Sequence, residues 1–500
     1  MTRMFDSNGP DTGSPVDTTA AGSHRETQTL GQPTFFWNLT LVDLWERFSF
    51  YGLQGVLTFY LLYSMAEGGL EIDPLVAVGI AGAYGGLTQI TSIGGSWLAD
   101  RIIAPKKMVL IGAIVIAAGH VVLGVVNGVT GLAVGLFLII VGTGALKTNL
   151  MSIVGMLYER SETRRDAGFT IFIASTNMGS VLGPLLMGIT QSSWGFHAAF
   201  GLAAIGMILG LIQFSTVYAK LPPQSAIVRN PIEATKWHLV GVLCAAFVGF
   251  IAVLWFSGAL TGENLATTLA VLSVVMVIFY FTVMLRSPRV TSVEKTRVWG
   301  LIPICAAGLV FFAYTYQVFT TVPLFVTESV DTSLGSWAIP DVWFVTVMAI
   351  GSIGISPVLS ALWTRLGVRQ PKPMTKMSIG FTLMGAAHAG LYLLAGTYSD
   401  GEIPALLVII CLLVAGFGEA FLLPIVLSVA TRVVPLAFKT QGLAAVLLCL
   451  GVGSILAGVL GGIFTKTSET TYFGLLTVIA FVAACVLAVS AQRNFQRINA

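Results

Sequence analysis

Apolar runs follow one another along almost the whole of this 500-residue chain, and each is long enough to cross a lipid bilayer. A hydrocarbon core about 30 Å thick takes roughly 20 helical residues. Inside it no water is available, so every backbone N–H and C=O must be bonded within the protein. Successive runs of that length therefore predict a bundle of membrane-spanning helices. Composition agrees: 55% of residues are hydrophobic, 10% are charged and the mean hydropathy is +0.87. A soluble domain carries about 25% charged residues.

Hydropathy places fourteen spans, grouped six, two and six. The first six centre near Gly52, Gly86, Ala117, Leu138, Ser180 and Gly206. Two more lie near Phe247 and Val275, and the last six near Phe312, Gly351, Gly385, Gly416, Leu450 and Ile479. The expected organisation is a polar, disordered tail over residues 1–34 and a six-helix bundle over 35–220. A linker with two extra helices follows over 221–298, then a second bundle over 299–492 and a short tail over 493–500. The five cysteines stand singly in apolar runs without metal-binding spacing.

Loop charge sets the orientation. One set of loops holds Arg101, Lys106 and Lys107; Arg160, Arg164 and Arg165; Arg365, Arg369, Lys372 and Lys376; and Arg432 with Lys439. The extra pair is flanked by Lys220, Arg229 and Lys236, then by Arg286, Arg289, Lys295 and Arg297. The opposite loops carry Glu67, Glu71 and Asp73; Glu328, Asp331 and Asp341; and Asp400 with Glu402, and Lys466 alone breaks the pattern. Positive loops stay cytoplasmic, so both termini are expected inside a cell (inner) membrane. The halves also echo each other: GGSWLAD before RIIAPKK in the first matches SPVLSALWTRLG before VRQPKPMTK in the second. Paired halves point to transport by rocking around a midplane site.

A few charges fall inside spans. They are Asp43, Glu46, Arg47, Lys147 and Glu419, with Asp100 at a span end. Each costs about 2.5–3.5 kcal/mol at the bilayer centre, so a substrate or proton pathway is the default reading. On a helix of 3.6 residues per turn, Asp43, Glu46, Arg47, Phe50, Tyr51 and Gln54 share one face. Lys147 follows small residues in VGTGALKTN and needs an anionic partner, Asp43 or Glu46. Glu419 sits between a glycine pair and Pro424 in GFGEAFLLP, the pattern of an interrupted helix carrying a ligand contact. Such a set would hold a zwitterion, its carboxylate by Arg47 and Lys147 and its ammonium by Glu419. The remaining acid near Lys147 would carry the proton. His120 in the third span reads as a hydrogen-bonded packing residue.

Four strings resemble one family. DLWERFSFYG (43–52), GTGALKTN (142–149), FTIFIASTNMGSVLG (169–183) and GEAFLLP (418–424) are similar, in order, to the signature motifs of the proton-dependent oligopeptide transporters. YGLQG and the six-two-six count resemble the bacterial di- and tripeptide permease branch. The resemblance covers the chain from about Phe35 onward. It implies an all-α membrane protein of the major facilitator fold, two six-helix bundles with an extra two-helix hairpin between them. It implies a proton-coupled symporter that imports di- and tripeptides by alternating access.

By the same resemblance Asp43, Glu46, Arg47 and Lys147 belong to proton coupling. Arg47, Tyr51, Lys147, Asn177, Gln317 and Glu419 belong to substrate binding, and Asp100 to a cytoplasmic gate. The expected partners are small peptides, protons and the bilayer, with no cofactor beyond the proton gradient, no metal and no nucleic acid, and a monomer as the working unit. The chain departs from the family at Asp43 (a shorter acid), Phe50 (a lost hydroxyl), Gln54, Gln89 (where a cavity tyrosine is common) and Tyr316 (where many members place an acid). These changes leave open a transporter of the same fold for another small solute, such as an amino acid, nitrate or a drug-like compound. An enzyme is not expected, since no catalytic triad, metal cluster or phosphate loop stands out.

Overall fold

The computed structural model describes residues 28–29, 32–158, 162–233, 235, 237–258, 260–399, 401–435 and 438–498. Most of the expected N-terminal tail lies outside the described residues, as do Arg160, Lys236 and Asp400. The first bundle contains α1 (Thr34–Leu62), α2 (Pro74–Arg101), α3 (Pro105–Val125), α4 (Gly128–Met156), α5 (Glu162–Trp194) and α6 (Phe196–Val217). The extra pair is α7 (Trp237–Phe256) and α8 (Leu265–Arg286). The second bundle contains α9 (Ser292–Thr315), α10 (Thr321–Ser329), α11 (Trp343–Leu366), α12 (Pro373–Thr397), α13 (Ala405–Ala420), α14 (Leu423–Val433), α15 (Lys439–Phe464) and α16 (Glu469–Ile498). α9 and α10 form one rod broken at 316–320, and α13 and α14 another broken at 421–422, so the rods number fourteen. Among the described residues, twelve of them are long and apolar enough to cross a membrane. α1 stands apart with its three charged residues Asp43, Glu46 and Arg47. α16 runs through most of the stretch expected as a C-terminal tail.

Local chemistry starts two of these helices. Asp73 caps α2 by accepting from the Leu75 amide, with Pro74 at the first helical position. Thr291 and Glu294 form a reciprocal capping box at the start of α9. Within each half, small residues let backbones touch. α5 lies against α1 so closely that a Cβ on Gly183 would come 2.4 Å from the Phe48 carbonyl oxygen, and one on Gly179 would come 2.6 Å from Arg47 Cβ. Only glycine fits there, and that contact brings the α5 motif to the charged face of α1.

The halves meet at the end that carries the acidic loops. α2 packs along α15, and a Cβ on Gly82 would come 2.7 Å from the Gly458 amide nitrogen. α5 packs on α11, where Trp343 Nε1 donates to the Leu185 carbonyl at 3.2 Å. Thr58 Oγ1 donates to the Phe319 carbonyl at 2.5 Å, and Tyr63 Oη donates to Asp341 Oδ2 at 2.6 Å. α8 joins the same seam: Ala266 and Ala270 pack with Ile455 of α15, and Val76 of α2 approaches Gly262 just before α8. α8 of the extra pair thus packs on both halves. Toward the basic loops Trp97, Met178, Val358 and Leu362 are exposed.

Gly82→Leu cannot be accommodated against the backbone of Gly458, so it should part the halves at the acidic-loop end. Spin labels placed at Glu67 and Leu334 are expected to move several ångströms apart in the variant, and an unchanged distance distribution would contradict the contact. Burial pushes the Asp341 carboxyl up from its ordinary 3.8, against the bond from Tyr63 that holds it down. A carboxyl raised on folding binds more protons folded than unfolded, so stability falls as pH rises above 3.8. Asp341→Asn should therefore gain more melting temperature over the parent protein at neutral pH than in mild acid. A difference that does not vary with pH would refute this.

Candidate functional site

The charges of α1 form one buried cluster. Asp43, Glu46 and Arg47 are 2%, 0% and 4% exposed, so their interactions must be met within the protein. Arg47 Nε lies 2.9 Å from Glu46 Oε2 and 3.6 Å from Asp43 Oδ1. Asp43 has a second partner, Thr176 Oγ1 of α5, which donates to Oδ2 at 2.6 Å. Glu46 differs. Its contact with Arg47 is an ion pair without hydrogen-bond alignment, and neither carboxylate oxygen has a hydrogen-bond partner among the described residues. The guanidinium carbon of Arg47 stands 6.0 Å from the Phe50 ring, which stacks on Tyr84 at 5.7 Å. Gln54, one turn further on, donates to the Ala81 carbonyl of α2 at 3.2 Å.

Lys147 of α4 faces this cluster and lies within electrostatic range of Arg47, Glu46 and Asp43. Its hydrogen bond goes elsewhere than expected: Nζ donates to Gln89 Oε1 of α2 at 2.8 Å. The reason is packing. α2 and α4 touch backbone to backbone at Gly95 and Gly144, where an added Cβ would come 1.9 Å from the Gly144 carbonyl oxygen, and this sets Gln89 beside the ammonium. Glu419 lies in the last turn of α13, just before the helix breaks and resumes at Leu423 with Pro424 in its first turn. Tyr51, half-buried on α1, lies within electrostatic range of Arg47, Glu46 and Asp43 on its own helix and of Glu419 from the other half.

The sequence profile of the POT family matches residues 106–491. The uncharacterized transporter YclF of Bacillus subtilis is 33% identical, over 91% of this chain and 93% of its own. A di-/tripeptide transporter of Lactococcus lactis subsp. cremoris is also 33% identical, over 91% and 95%. This chain belongs to the POT family. The solved structure of the peptide transporter POT, in a glutamate-to-glutamine mutant bound to alafosfalin, superposes with a TM-score of 0.90 at 32% identity, covering 95% of this chain and 98% of that one. The fold is thus that of the POT transporters, with the major facilitator arrangement of two bundles expected above.

Within this POT-family framework the remaining residues fall into two groups. Asn177 is half-buried on α5 beside Thr176 and the close contact at Gly179, on the same seam as Asp43. Gln317 departs from the expectation of a substrate contact. It is 4% exposed, donates to the Ala313 carbonyl at 2.9 Å, and accepts from Tyr472 Oη at 2.6 Å and Thr321 Oγ1 at 2.5 Å. Both lone pairs of its amide oxygen and one of its two N–H groups are used inside the second bundle, across the break between α9 and α10. Asp100 accepts from Asn230 Nδ2 at 2.8 Å and lies 4.0 Å from Arg101 Nε, so its bonds tie the linker after α6 to the end of α2. Tyr316 fills the interface, stacked on Phe312 at 5.7 Å and wedged against Gly85 of α2. His120 is fully buried, but neither ring nitrogen has a hydrogen-bond partner among the described residues, which corrects the hydrogen-bonded packing role expected of it.

Thr176, Gln89 and Tyr472 are the contacts that sequence reasoning did not assign. Thr176 was the most accessible of them, since it adjoins Asn177 in a motif already singled out. Gln317→Leu removes the acceptor that the Tyr472 and Thr321 hydroxyls share; lying 3.2 Å apart they can bond each other, which leaves one O–H unpaired in the core. An unpaired buried hydroxyl costs about 1–3 kcal/mol, so the variant should unfold at visibly lower temperature in detergent. An unshifted melting curve would mean these bonds are not formed.

Proposed function

We propose that this chain is a proton-driven symporter that imports di- and tripeptides by alternating access. The observation that carries the reading is that the first half presents the cations Arg47 and Lys147 and the second half the acid Glu419, with Tyr51 in electrostatic range of both Arg47 and Glu419. A short peptide is a zwitterion of that polarity. Arg47 and Lys147 would take its carboxylate, the planar guanidinium suiting the anion's fork, and Glu419 would take its amino terminus. Support comes from the family, from the di-/tripeptide transporter at 33% identity, and from the alafosfalin complex of a structural relative.

Glu46 would carry the proton. Asp43 already has Thr176 and Arg47 as partners, whereas Glu46 is buried with neither oxygen hydrogen-bonded among the described residues, and the nearby cations Arg47 and Lys147 hold its charge. When a substrate carboxylate draws Arg47 and Lys147 to itself, Glu46 loses that support and favours its protonated form. The proton and the peptide then cross together. The gradient is the only driving force required, with no cofactor, and one chain carries a whole site, so a monomer would suffice.

With basic loops cytoplasmic, both termini lie inside the cell (inner) membrane and the closed acidic-loop end faces outward. The described form is then inward-facing, and Asp100 would act on the cytoplasmic side by holding the linker against α2. A second reading, the same mechanism with another amino-bearing solute, is favoured by Tyr316, which occupies interface space and brings no acid from the second half.

Uptake of labelled dialanine into liposomes, with and without an inward proton gradient, tests the proposal. Gradient-dependent accumulation is expected, blocked by competing peptides and not by nitrate. Lys147→Ala and Glu46→Gln should each abolish accumulation against a gradient, and full pH-driven accumulation in either would overturn the coupling scheme. A wild-type protein that ignores dialanine but binds single amino acids would favour the second reading.

A further inference from the structure

Gln89 stands at a junction that the site description leaves without a role. On one side its Oε1 accepts from Lys147 Nζ at 2.8 Å. On the other, its Cβ lies 3.3 Å from where a Cβ on Gly451 of α15 would sit, at the seam between the halves. An ammonium only donates, so the amide oxygen must face it and the –NH2 must point away. That nitrogen has no hydrogen-bond partner among the described residues. α2 is held rigidly to α4 around it: Thr91 Oγ1 donates to the Ile140 carbonyl at 3.0 Å, Ser96 Oγ to Thr148 Oγ1 at 2.7 Å, and Asn149 Nδ2 to the Gly95 carbonyl at 3.3 Å.

We infer that Gln89 is a positioning residue for the substrate carboxylate. It holds the Lys147 ammonium at the seam and offers its own amide N–H as a second donor beside it. The inference rests on the proposed transport of peptides. Its physical basis is that the acceptor is neutral. A carboxylate in that place would neutralise Lys147 and compete with the substrate, whereas an amide fixes the ammonium and leaves its full charge available. The charged groups facing Lys147 are Asp43, Glu46 and Arg47 of α1. α2 adds Tyr84 as the titratable residue of this stretch, and α15 adds Cys449. Gln89 thereby favours a poised Lys147 over one locked to the α1 acids. Because Gln89 also touches α15, any movement of the halves along α2 moves the ammonium's partner.

The test uses the purified full chain and Gln89→Glu, a near-isosteric change. Binding of dialanine and of alanyl-alaninamide, which lacks the carboxylate, is measured for both proteins from neutral to mildly acidic pH. At neutral pH the variant should bind dialanine about tenfold more weakly than wild type, with the amide ligand little changed. Once the pH is low enough for the introduced carboxyl, held ionised by the ammonium beside it, to take up a proton and mimic the amide, the ratio of variant to wild type should return toward one. A ratio near one throughout, or an equal loss for both ligands at every pH, overturns the inference. If the wild type binds neither ligand, the proposed substrate class fails instead. A double-mutant cycle on melting temperature then decides the bond itself, using Gln89→Leu, Lys147→Met and the pair. Non-additive shifts uphold it, and additive shifts refute it.

Discussion

Asp43, Glu46, Arg47 and Lys147 sit at a depth where each unpaired charge is expensive, and α1, α2, α4 and α5 are arranged so that they answer one another. The arrangement requires backbones in contact. α5 reaches Asp43 with Thr176 because Gly179 and Gly183 let it lie on α1, and Gln89 reaches Lys147 because Gly95 lets α2 lie on α4. Replacing the cluster by apolar residues would pack at lower electrostatic cost. On the proposed mechanism, the cluster is the device that changes its protonation and its partners.

The device is confined to one half. Arg47 finds both its anions on its own helix, and the position from which a second-half acid would reach it holds Tyr316, stacked on Phe312. Contact between the halves relies instead on close glycine packing of α2 on α15 and on the neutral or singly charged bonds from Thr58, Tyr63 and Trp343. Among the described residues, separating such a seam breaks no buried ion pair. Charge compensation and closure are thereby divided between different parts of the molecule, and Gln89, bonded to Lys147 and touching α15, is where they meet.

Much of this was legible in the sequence. The grouping of spans followed from hydropathy, because bilayer thickness sets a length that no soluble helix needs. The break after Glu419 followed from the flanking glycines and Pro424, and the α1 charges were conspicuous because charge is so rare in the spans. Pairings across helices were not legible. Lys147 was assigned an acid and has an amide, and Gln317 was assigned to the substrate and is held by Tyr472, more than 150 positions away. Such partners are chosen by how closely two backbones approach, which periodicity along one helix cannot report. The short parallel pairing of Val330–Asp331 with Ile403–Pro404, which joins the loops before α11 and α13, was invisible for the same reason.

The central claim is that peptide binding at Arg47 and Lys147 is what licenses a proton to enter at Glu46. The most direct measurement follows the internal pH of liposomes holding the purified protein, at fixed membrane potential, when dialanine is added outside. Internal acidification that starts with the peptide, saturates with it and is lost in Glu46→Gln is the predicted result. Peptide entry with no accompanying acidification, or proton entry of equal rate without peptide, would contradict it.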